Sequence, residues 1–535
     1  MPRPNQGRPS RGSVGQDWAA AAAAVGICLL ASLGTSGQGV ALRGLTAPGP
    51  VGRAYDAIFD ARLDGLSTEL ASMCAPPRPG PRDDRVPAEV CRVLEALATW
   101  WRIRLDVLDQ SRDQMFVAQA DAAVAATEAW VAREPNRAEA WFYLGGSYAA
   151  RAQWRTARGS QLAAARDGKR IKESMEKALA LDPSLQDARF GVGLYQYYAD
   201  VAPSALKILR WLLLLPGGDR ARGLRTMEEA RARAQLLRSE AAYQLHVVYI
   251  WYERAPERAL ALVQELRARH PANPHFIETE AEIYDVHLSD FGASLRAWRG
   301  LFEAAAARKV AFPDMASARA RLGMAVQLDR LGDTDQAVEE LRALLSTKPT
   351  SPVGIEARAH VALGRALDHV GARAEALAQY KAALAALPPG DPLKTGTAAR
   401  DAMRGPPNPD AASAYRLSLE GWRAFERGDL ADASRLLTRS HALRAANPTT
   451  RYRQARVWLA ERRASEAVEA LELVISDPAT PPHVFANACY HAARALEQQG
   501  TTTRAIELYR LVVGAFGVDP TLKGDAQRAL ARLAA

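Results

Sequence analysis

Aromatic residues, histidines and cysteines are scarce in this chain of 535 residues. Only 7% of the residues are aromatic, and valine, isoleucine and threonine seldom alternate with polar residues, so sheets are not expected. The 9 histidines are scattered singly, whereas a metal site needs several convergent ligands. The sequence therefore predicts an all-α protein without a metal centre.

The motifs that carry common chemistries are also missing. The chain has no HExxH, no paired CxxC, no Gly-Lys-Ser/Thr phosphate loop and no G-x-S-x-G. We find no candidate nucleophile beside a base. The sequence therefore predicts no catalytic residue and no cofactor, and it indicates that the protein is not an enzyme.

A net charge of +9 and a pI of about 9.4 raise the question of an anionic partner. Most arginines, however, are interleaved with acidic residues, as in AERRASEAVEALE from Ala460, which is typical of a solvated helix face. The most basic stretches, Arg220 to Arg238 and Arg451 to Arg463, lack the interleaved aromatics of RNA-binding surfaces. The composition therefore predicts a soluble, folded protein with no nucleic-acid partner.

The clearest pattern is a helical hairpin, RAHVALGRALDHVGARAEALAQYKAALAALP, which begins at Arg358. It carries a Leu-Gly pair, an Ala, a bulky residue and a closing Pro at fixed spacing, namely Leu363, Gly364, Ala376, Tyr380 and Pro388. This set resembles the signature of the tetratricopeptide repeat superfamily, a helix-turn-helix unit of 34 residues. The resemblance implies an α-solenoid, because one hairpin cannot cover its own apolar face.

The same spacing recurs along the chain. Ala337 and Ala259 each precede a proline by twelve positions, as Ala376 does, and Ala259 and Ala293 lie one 34-residue period apart. From this register we predict four segments after the N-terminus: a divergent N-terminal cap at 53–134, a repeat array at 135–388 with long insertions in its first two units, a Pro/Gly-rich linker at 389–412, and a second array with a capping helix at 413–535.

Residues 1–41 have the layout of a secretory signal, with a basic start, an apolar run at 18–33 and small residues after it. We expect either a cleaved signal peptide or an uncleaved N-terminal anchor, and a disordered tail is the alternative. The first two cases predict an exported protein that is periplasmic or associated with the cell envelope.

Cys74 and Cys91 flank a proline-rich loop and are 17 residues apart. In an oxidising compartment they could form a disulfide that closes this loop. The alternative is two unrelated buried thiols, and in either case Cys489 is a lone core thiol.

The glycine-rich stretch FGVGLYQYY from Phe190 to Tyr198 is followed by a Pro-bounded apolar stretch and by the turn Gly218-Asp219-Arg220. With these features, residues 190–235 are similar to a segment of the tetratricopeptide family of mitochondrial outer-membrane and inclusion-body clearance proteins. Within this segment the apolar stretch 205–215 is too short to span a bilayer. It is either a buried solenoid helix or a helix that docks on a membrane surface.

Tetratricopeptide arrays bind along a groove lined by the first helix of each hairpin. Carried over to this chain, the positions predicted to bind a partner are Gln244, Trp251, Tyr252, Glu278, Glu282, Arg358, Arg365, His369, Tyr415, Trp422, Arg456, Tyr490 and Arg494. The alternative for Trp251 and Trp422 is packing against the next repeat.

We interpret the chain as a scaffold for one or more proteins or peptides in envelope assembly or trafficking, or else as a membrane-surface adaptor that uses residues 205–215 and the basic stretches. The sequence does not fix an oligomeric state.

Overall fold

The computed structural model describes residues 42–74, 86–201, 217–405, 408–445, 447–515 and 518–534. Within these ranges the chain forms 24 helices and no strand, which confirms the all-α prediction. None of the helices in this part of the chain is long and apolar enough to cross a membrane. The predicted signal segment 1–41 and the apolar stretch 205–215 lie outside the described residues.

The chain divides into two compact units. Unit 1 comprises Met1–Phe276 and Lys309–Ala311. Its helices are α1 (Pro48–Phe59), α2 (Leu66–Met73), α3 (Ala88–Leu105), α4 (Asp113–Arg133), α5 (Ala138–Ala157), α6 (Gln161–Leu181), α7 (Gln186–Val201), α8 (Arg220–Arg233), α9 (Arg238–Trp251) and α10 (Pro256–Arg269).

Unit 2 comprises Ile277–Arg308 and Phe312–Ala535, so the division falls inside the next helix. The remaining helices are α11 (Pro274–Glu282), α12 (Phe291–Ala306), α13 (Pro313–Leu331), α14 (Thr334–Ser346), α15 (Ile355–His369), α16 (Arg373–Ala385), α17 (Thr395–Arg404), α18 (Pro409–Glu426), α19 (Leu430–Leu443), α20 (Pro448–Ala460), α21 (Ala464–Ser476), α22 (Pro482–Gln498), α23 (Thr502–Gly514) and α24 (Pro520–Ala534). A π-helical turn, Ile283–His287, follows α11.

Consecutive helices pack in pairs, and within each unit every pair contacts the next pair, as an α-solenoid requires. The pairs are α3/α4, α5/α6, α7/α8, α9/α10, α13/α14, α15/α16, α18/α19, α20/α21 and α22/α23. The alanines of the predicted register are buried at the start of the second helices, for example Ala259, Ala337 and Ala376, each with 0% exposure. The helix-turn-helix register that the sequence predicts is therefore confirmed.

The signature glycines lie where the two helices of a pair approach most closely. A Cβ atom at Gly364 would overlap the ring of Tyr380, and one at Gly421 would lie 2.8 Å from Cγ of Leu437. Because large side chains of the second helix fill these spaces, the first helix must present a residue without a side chain. The Leu-Gly pair of the sequence pattern is thus a packing requirement.

Two segments differ from the sequence interpretation in detail. The apolar pattern from Ala54 to Met73 predicts one helix, but the chain forms α1 and α2 with a turn between them. Gly65 has a φ of 83°, which favours glycine, and it is the N-cap residue directly before α2. The helical period continues on both sides of the turn, so the apolar pattern alone does not reveal the break.

The predicted linker 389–412 contains a helix, α17, together with the start of α18. The carboxylate of Asp391 accepts the backbone N–H groups of Thr395 and Gly396 at 2.8 Å each, which caps the N-terminus of α17. The prolines and glycines on each side of this helix hide its pattern in the sequence.

Candidate functional site

A group of charged side chains lies on three helices, α11, α13 and α15, at residues that belong to unit 2. It comprises Glu278 and Glu282 on α11, Arg319 on α13, and Arg358 and Arg365 on α15, and we call it the charged face. Nη1 of Arg319 lies 2.8 Å from Oε2 of Glu278, so this ion pair joins two of the helices. The position of these residues on first helices agrees with the surface that the repeat register predicts.

Arg358 and Arg365 are the exposed cations of the charged face. Neither guanidinium makes a hydrogen bond or an ion pair within the described parts of the chain, whereas Arg319 is held by Glu278. Burial lowers the pKa of Arg358, while the negative charges of Glu282 and Glu278 oppose this change, and the arginine stays charged at neutral pH. Arg365, and Arg358 in exchange for its attraction to Glu282, can bind an anionic group of another molecule.

Glu282 is exposed on α11. The surrounding protein, together with the negative charge of Glu278, raises the pKa of Glu282 to about 7, while Arg358 and Arg319 oppose this change.

At the C-terminal end of α15, His369 forms a hydrogen bond between its Nδ1 and Oδ1 of Asp329 at 2.9 Å. This hydrogen bond raises the pKa of His369. The imidazole also lies 5.9 Å from the ring of Tyr415, whose hydroxyl is 2.7 Å from Oγ1 of Thr334. Tyr415 is thus held by neighbouring helices, while His369 remains exposed.

The other predicted residues of unit 2 lie on α18, α20 and α22 and bridge successive helices. Trp422 stacks on Phe425 at 4.9 Å between ring centroids, and the guanidinium of Arg456 lies 5.9 Å from the Trp422 ring. Nη1 of Arg456 is also 2.8 Å from Nε2 of His491. These half-buried contacts are typical of packing between repeats.

The last two predicted residues of unit 2 form a pair on α22. The exposed Arg494 lies over the ring of Tyr490, with its guanidinium carbon 5.8 Å from the ring centroid. The ring of Tyr490 also lies 6.1 Å from that of Tyr509. Tyr490 is thus partly occupied by packing against α23.

In unit 1 the three predicted residues do not form one surface group. Nε2 of Gln244 donates to Oε1 of Glu240 at 2.8 Å on α9. Trp251 is 38% exposed at the end of this helix. Tyr252 packs its ring 5.5 Å from that of Tyr198 in an aromatic cluster. Among the predicted residues in the described ranges, the structure therefore brings Glu278, Glu282 and Arg358 of unit 2 close together, with Glu278 buried and the other two exposed.

Arg319 was missed by the sequence interpretation. In the hairpin α13/α14 the repeat pattern is recognised by the Leu-Gly pair Leu322-Gly323, whereas α13 already begins at Pro313. The Leu-Gly pair marks the middle of a first helix and not its start. Scanning one helical turn before each Leu-Gly pair would have found this arginine.

Within the described ranges, no group of three or more His, Cys, Asp or Glu side chains could hold a metal ion. Cys74 and Cys91 are placed as a disulfide, with their Cα atoms 6.4 Å apart, and Cys489 is a buried free thiol. The disulfide joins the end of α2 to α3. The disulfide belongs to unit 1, whereas the residues of the charged face belong to unit 2.

A scan against protein families finds no matching family, and a search of curated proteins finds no similar sequence. Solved structures with a similar arrangement of helices include a tetratricopeptide repeat protein from Parabacteroides merdae, with 13% identity, a TM-score of 0.25, and coverage of 56% of this chain and 99% of that chain. The human IFIT1 dimer with PPP-AAAA has 15% identity, a TM-score of 0.32, and coverage of 79% of this chain and 82% of that chain.

The Cut9–Hcn1 hetero-tetramer of the APC/C has 12% identity, a TM-score of 0.24, and coverage of 90% of this chain and 88% of that chain. The similarity of residues 190–235 to the mitochondrial and inclusion-body clearance family stays a prediction, and residues 202–216 of this segment lie outside the described ranges.

Proposed function

We propose that the chain is a non-catalytic scaffold that binds a protein or peptide on the charged face of unit 2. Its repeat signature and its hairpin packing, which resemble those of tetratricopeptide repeat proteins, support this proposal. The observation that carries this proposal is the pair Arg358 and Arg365. Both are exposed on one helix and lack a hydrogen-bond or ion-pair partner in the described residues, beside the exposed Glu282 of a neighbouring first helix.

The arrangement of charge favours a peptide of mixed sign. The two arginines of α15 would bind carboxylates of the peptide, and Glu282 on α11 would bind a lysine or arginine of the same peptide. Such contacts at the rim of an interface contribute mostly to specificity and to the rate of association. The partner would thus be selected by the order of its charges across the groove.

A photo-crosslinking amino acid at Ala362, which lies between the two arginines on α15, tests this proposal in the native cell. We expect it to capture a defined polypeptide. The matched control is the same amino acid at Lys381, an exposed position on the second helix of the same pair. Equal capture from both positions, or none from Ala362, would argue against the charged face as the binding surface.

Reversing the charge of one arginine extends the test. We expect Arg358→Glu to reduce the crosslinking yield from Ala362 by about tenfold, which corresponds to about 1.4 kcal/mol of binding free energy. The circular dichroism spectrum should stay unchanged because the side chain is exposed. An unchanged yield would show that Arg358 does not contact the partner.

We also propose that this scaffold works in the cell envelope, in assembly or trafficking, with residues 1–41 as its export signal or anchor. The Cys74–Cys91 pair supports this proposal, because disulfides persist in oxidising compartments. Cell fractionation and N-terminal sequencing of the native protein test it. A reduced protein in the cytosol that retains residues 1–41 would contradict it.

A further inference from the structure

The first described segment of the chain, residues 42–61, runs along the ends of helices that lie far away in the sequence. We call it the N-terminal strap. The N–H of Leu42 donates to the carbonyl of Asn136 at 3.0 Å, just before α5. The N–H of Gly44 donates at 2.9 Å to Oδ2 of Asp182, which is 138 positions away and directly follows α6.

Next along the strap, Thr46 is bound by a buried carboxylate. Glu139, which is fully buried on α5, accepts the backbone N–H of Thr46 at Oε1 and its hydroxyl at Oε2, each at 2.7 Å. Nη2 of Arg137 donates to the same hydroxyl at 2.6 Å and to Glu139 at 2.9 Å. A buried carboxylate is costly unless it is paired, so this site is built to hold the strap backbone.

The helical part of the strap, α1, buries nearly a whole face. Its buried side chains follow the i, i+3, i+4, i+7 spacing of a helix that lies in an apolar groove, with Val51, Ala54, Tyr55 and Ile58 each at most 7% exposed. The ring of Phe59 continues this face. α1 thus packs against unit 1 through one apolar face, which Phe59 extends at the end of the helix.

The end of α1 is fixed by both an aromatic pocket and hydrogen bonds. The ring of Phe59 lies 4.6 Å from that of Trp101 on α3 and 5.5 Å from that of His270. Nδ2 of Asn273 donates to the carbonyl of Phe59 at 2.6 Å, across 214 positions of sequence, and the N–H of Ala272 donates to Oδ1 of Asp60 at 2.8 Å.

The contacts of the strap come from several hairpins of unit 1. The strap is held by Glu139 in the first turn of α5, by Asp182 directly after α6, and by Asn273 directly before α11. A bound peptide that crosses successive repeats would make contacts of the same kind. The strap differs from such a peptide only in being covalently linked, through the turn 62–65.

We propose that unit 1 is a receptor for an amphipathic helix, and that the N-terminal strap is its bound ligand in cis. The occupant must supply free backbone N–H groups and a hydroxyl for Asp182 and Glu139. One helical face of apolar residues with an aromatic residue at its end must follow. A second copy of the strap sequence has this chemistry and competes for the groove, whereas the charged face of unit 2 takes a different ligand.

The test uses the full chain with a protease recognition sequence inserted between Asp64 and Gly65, in the turn after the strap; Asp64 and Gly65 are exposed. After cleavage under native conditions, we expect the N-terminal fragment to remain bound in gel filtration. A fluorescent synthetic peptide of residues 42–61 should then exchange into the cleaved protein and reach saturation. The uncleaved chain should take up little peptide, because its linked strap is present at a high effective concentration.

The matched control is the same peptide with Ile58→Asp, which places a carboxylate in the apolar groove; we expect its uptake to be reduced at least about tenfold. Two results would overturn the proposal. One is a cleaved protein that takes up both peptides equally or neither. The other is a loss of helical circular dichroism when the fragment leaves, since the strap would then be part of the core of unit 1 and not a ligand. Neither result depends on the partner proposed for unit 2.

Discussion

At the scale of single residues, the fold depends on close contacts between a small residue of one helix and a large residue of its partner. The pair Gly364 and Tyr380 is the clearest, since Tyr380 is fully buried and its hydroxyl donates to Oδ2 of Asp368 at 2.8 Å. This hydrogen bond fixes the ring, so the ring cannot easily move away from an added methyl group. The sequence pattern predicts this pairing because the spacing of its residues reflects the geometry of the hairpin.

We therefore expect Gly364→Ala to lower the free energy of unfolding of unit 2 by about 1–3 kcal/mol, the usual cost of overpacking. Urea unfolding followed by circular dichroism measures this change. The matched control is Gly300→Ala on α12, where an added Cβ meets no heavy atom within 4 Å. It should leave stability unchanged or raise it by up to about 1 kcal/mol. Equal effects of the two substitutions would contradict the packing argument.

His270 gives a second test at this scale. It is 1% exposed, its Nε2 lies 2.7 Å from Oγ of Ser239, and its ring contacts Phe59 of the strap. Burial lowers its pKa to about 4, with a further contribution from Arg269, while Asp56 and Asp60 oppose the change. The folded state therefore holds the neutral imidazole.

Because the unfolded imidazole has a pKa of about 6.5, the stabilising contribution is complete above that pH and decreases as the pH falls from about 6.5 to 4. At about 1.4 kcal/mol per pKa unit, the loss at pH 4 reaches about 3 kcal/mol. We expect His270→Gln to flatten this part of the stability profile of unit 1. For His369, whose pKa is raised, the sign is opposite, so its contribution is lost as the pH rises. A His270 variant with the same acid dependence as the parent chain would refute this account.

At the scale of elements, the strap shows what sequence periodicity can and cannot predict. The apolar positions of α1 predict a helix with a buried face, and the structure agrees. The surface that covers this face comes from residues as far away as Asn273, 214 positions later. Periodicity contains no information about such a distant contact. The sequence therefore places α1 only in a terminal cap, whereas the structure shows which distant residues hold it.

The disulfide is a second feature at this scale. We expect peptide mapping of the non-reduced protein to recover Cys74 and Cys91 in one linked peptide, and Cys489 as a free thiol. Reduction should lower the stability of unit 1 by about 3 kcal/mol, because it frees a loop of this length in the unfolded state. Alkylation of both cysteines without a reductant would show instead that they are separate thiols.

At the scale of the whole molecule, one kind of hairpin has two uses. In unit 1 the groove described above is covered by the chain's own α1, whereas in unit 2 three residues of the charged face, Glu282, Arg358 and Arg365, are exposed to water. The repeat register predicts which helices carry the candidate residues, as Arg358 and Arg365 show. It does not predict whether a surface is already occupied, because that depends on contacts between distant parts of the chain.

Hydroxyl-radical footprinting of the purified full-length protein tests this difference most directly, since it reports the access of water to individual side chains. We predict that Tyr55 and Phe59, which are 7% and 2% exposed, react far more slowly than Trp251 in the same unit, which is 38% exposed. His369 beside the charged face, with 54% of its side chain exposed, should react quickly. Rapid oxidation of Tyr55 and Phe59, or protection of His369, would contradict the assignment of a covered surface to unit 1 and an open one to unit 2.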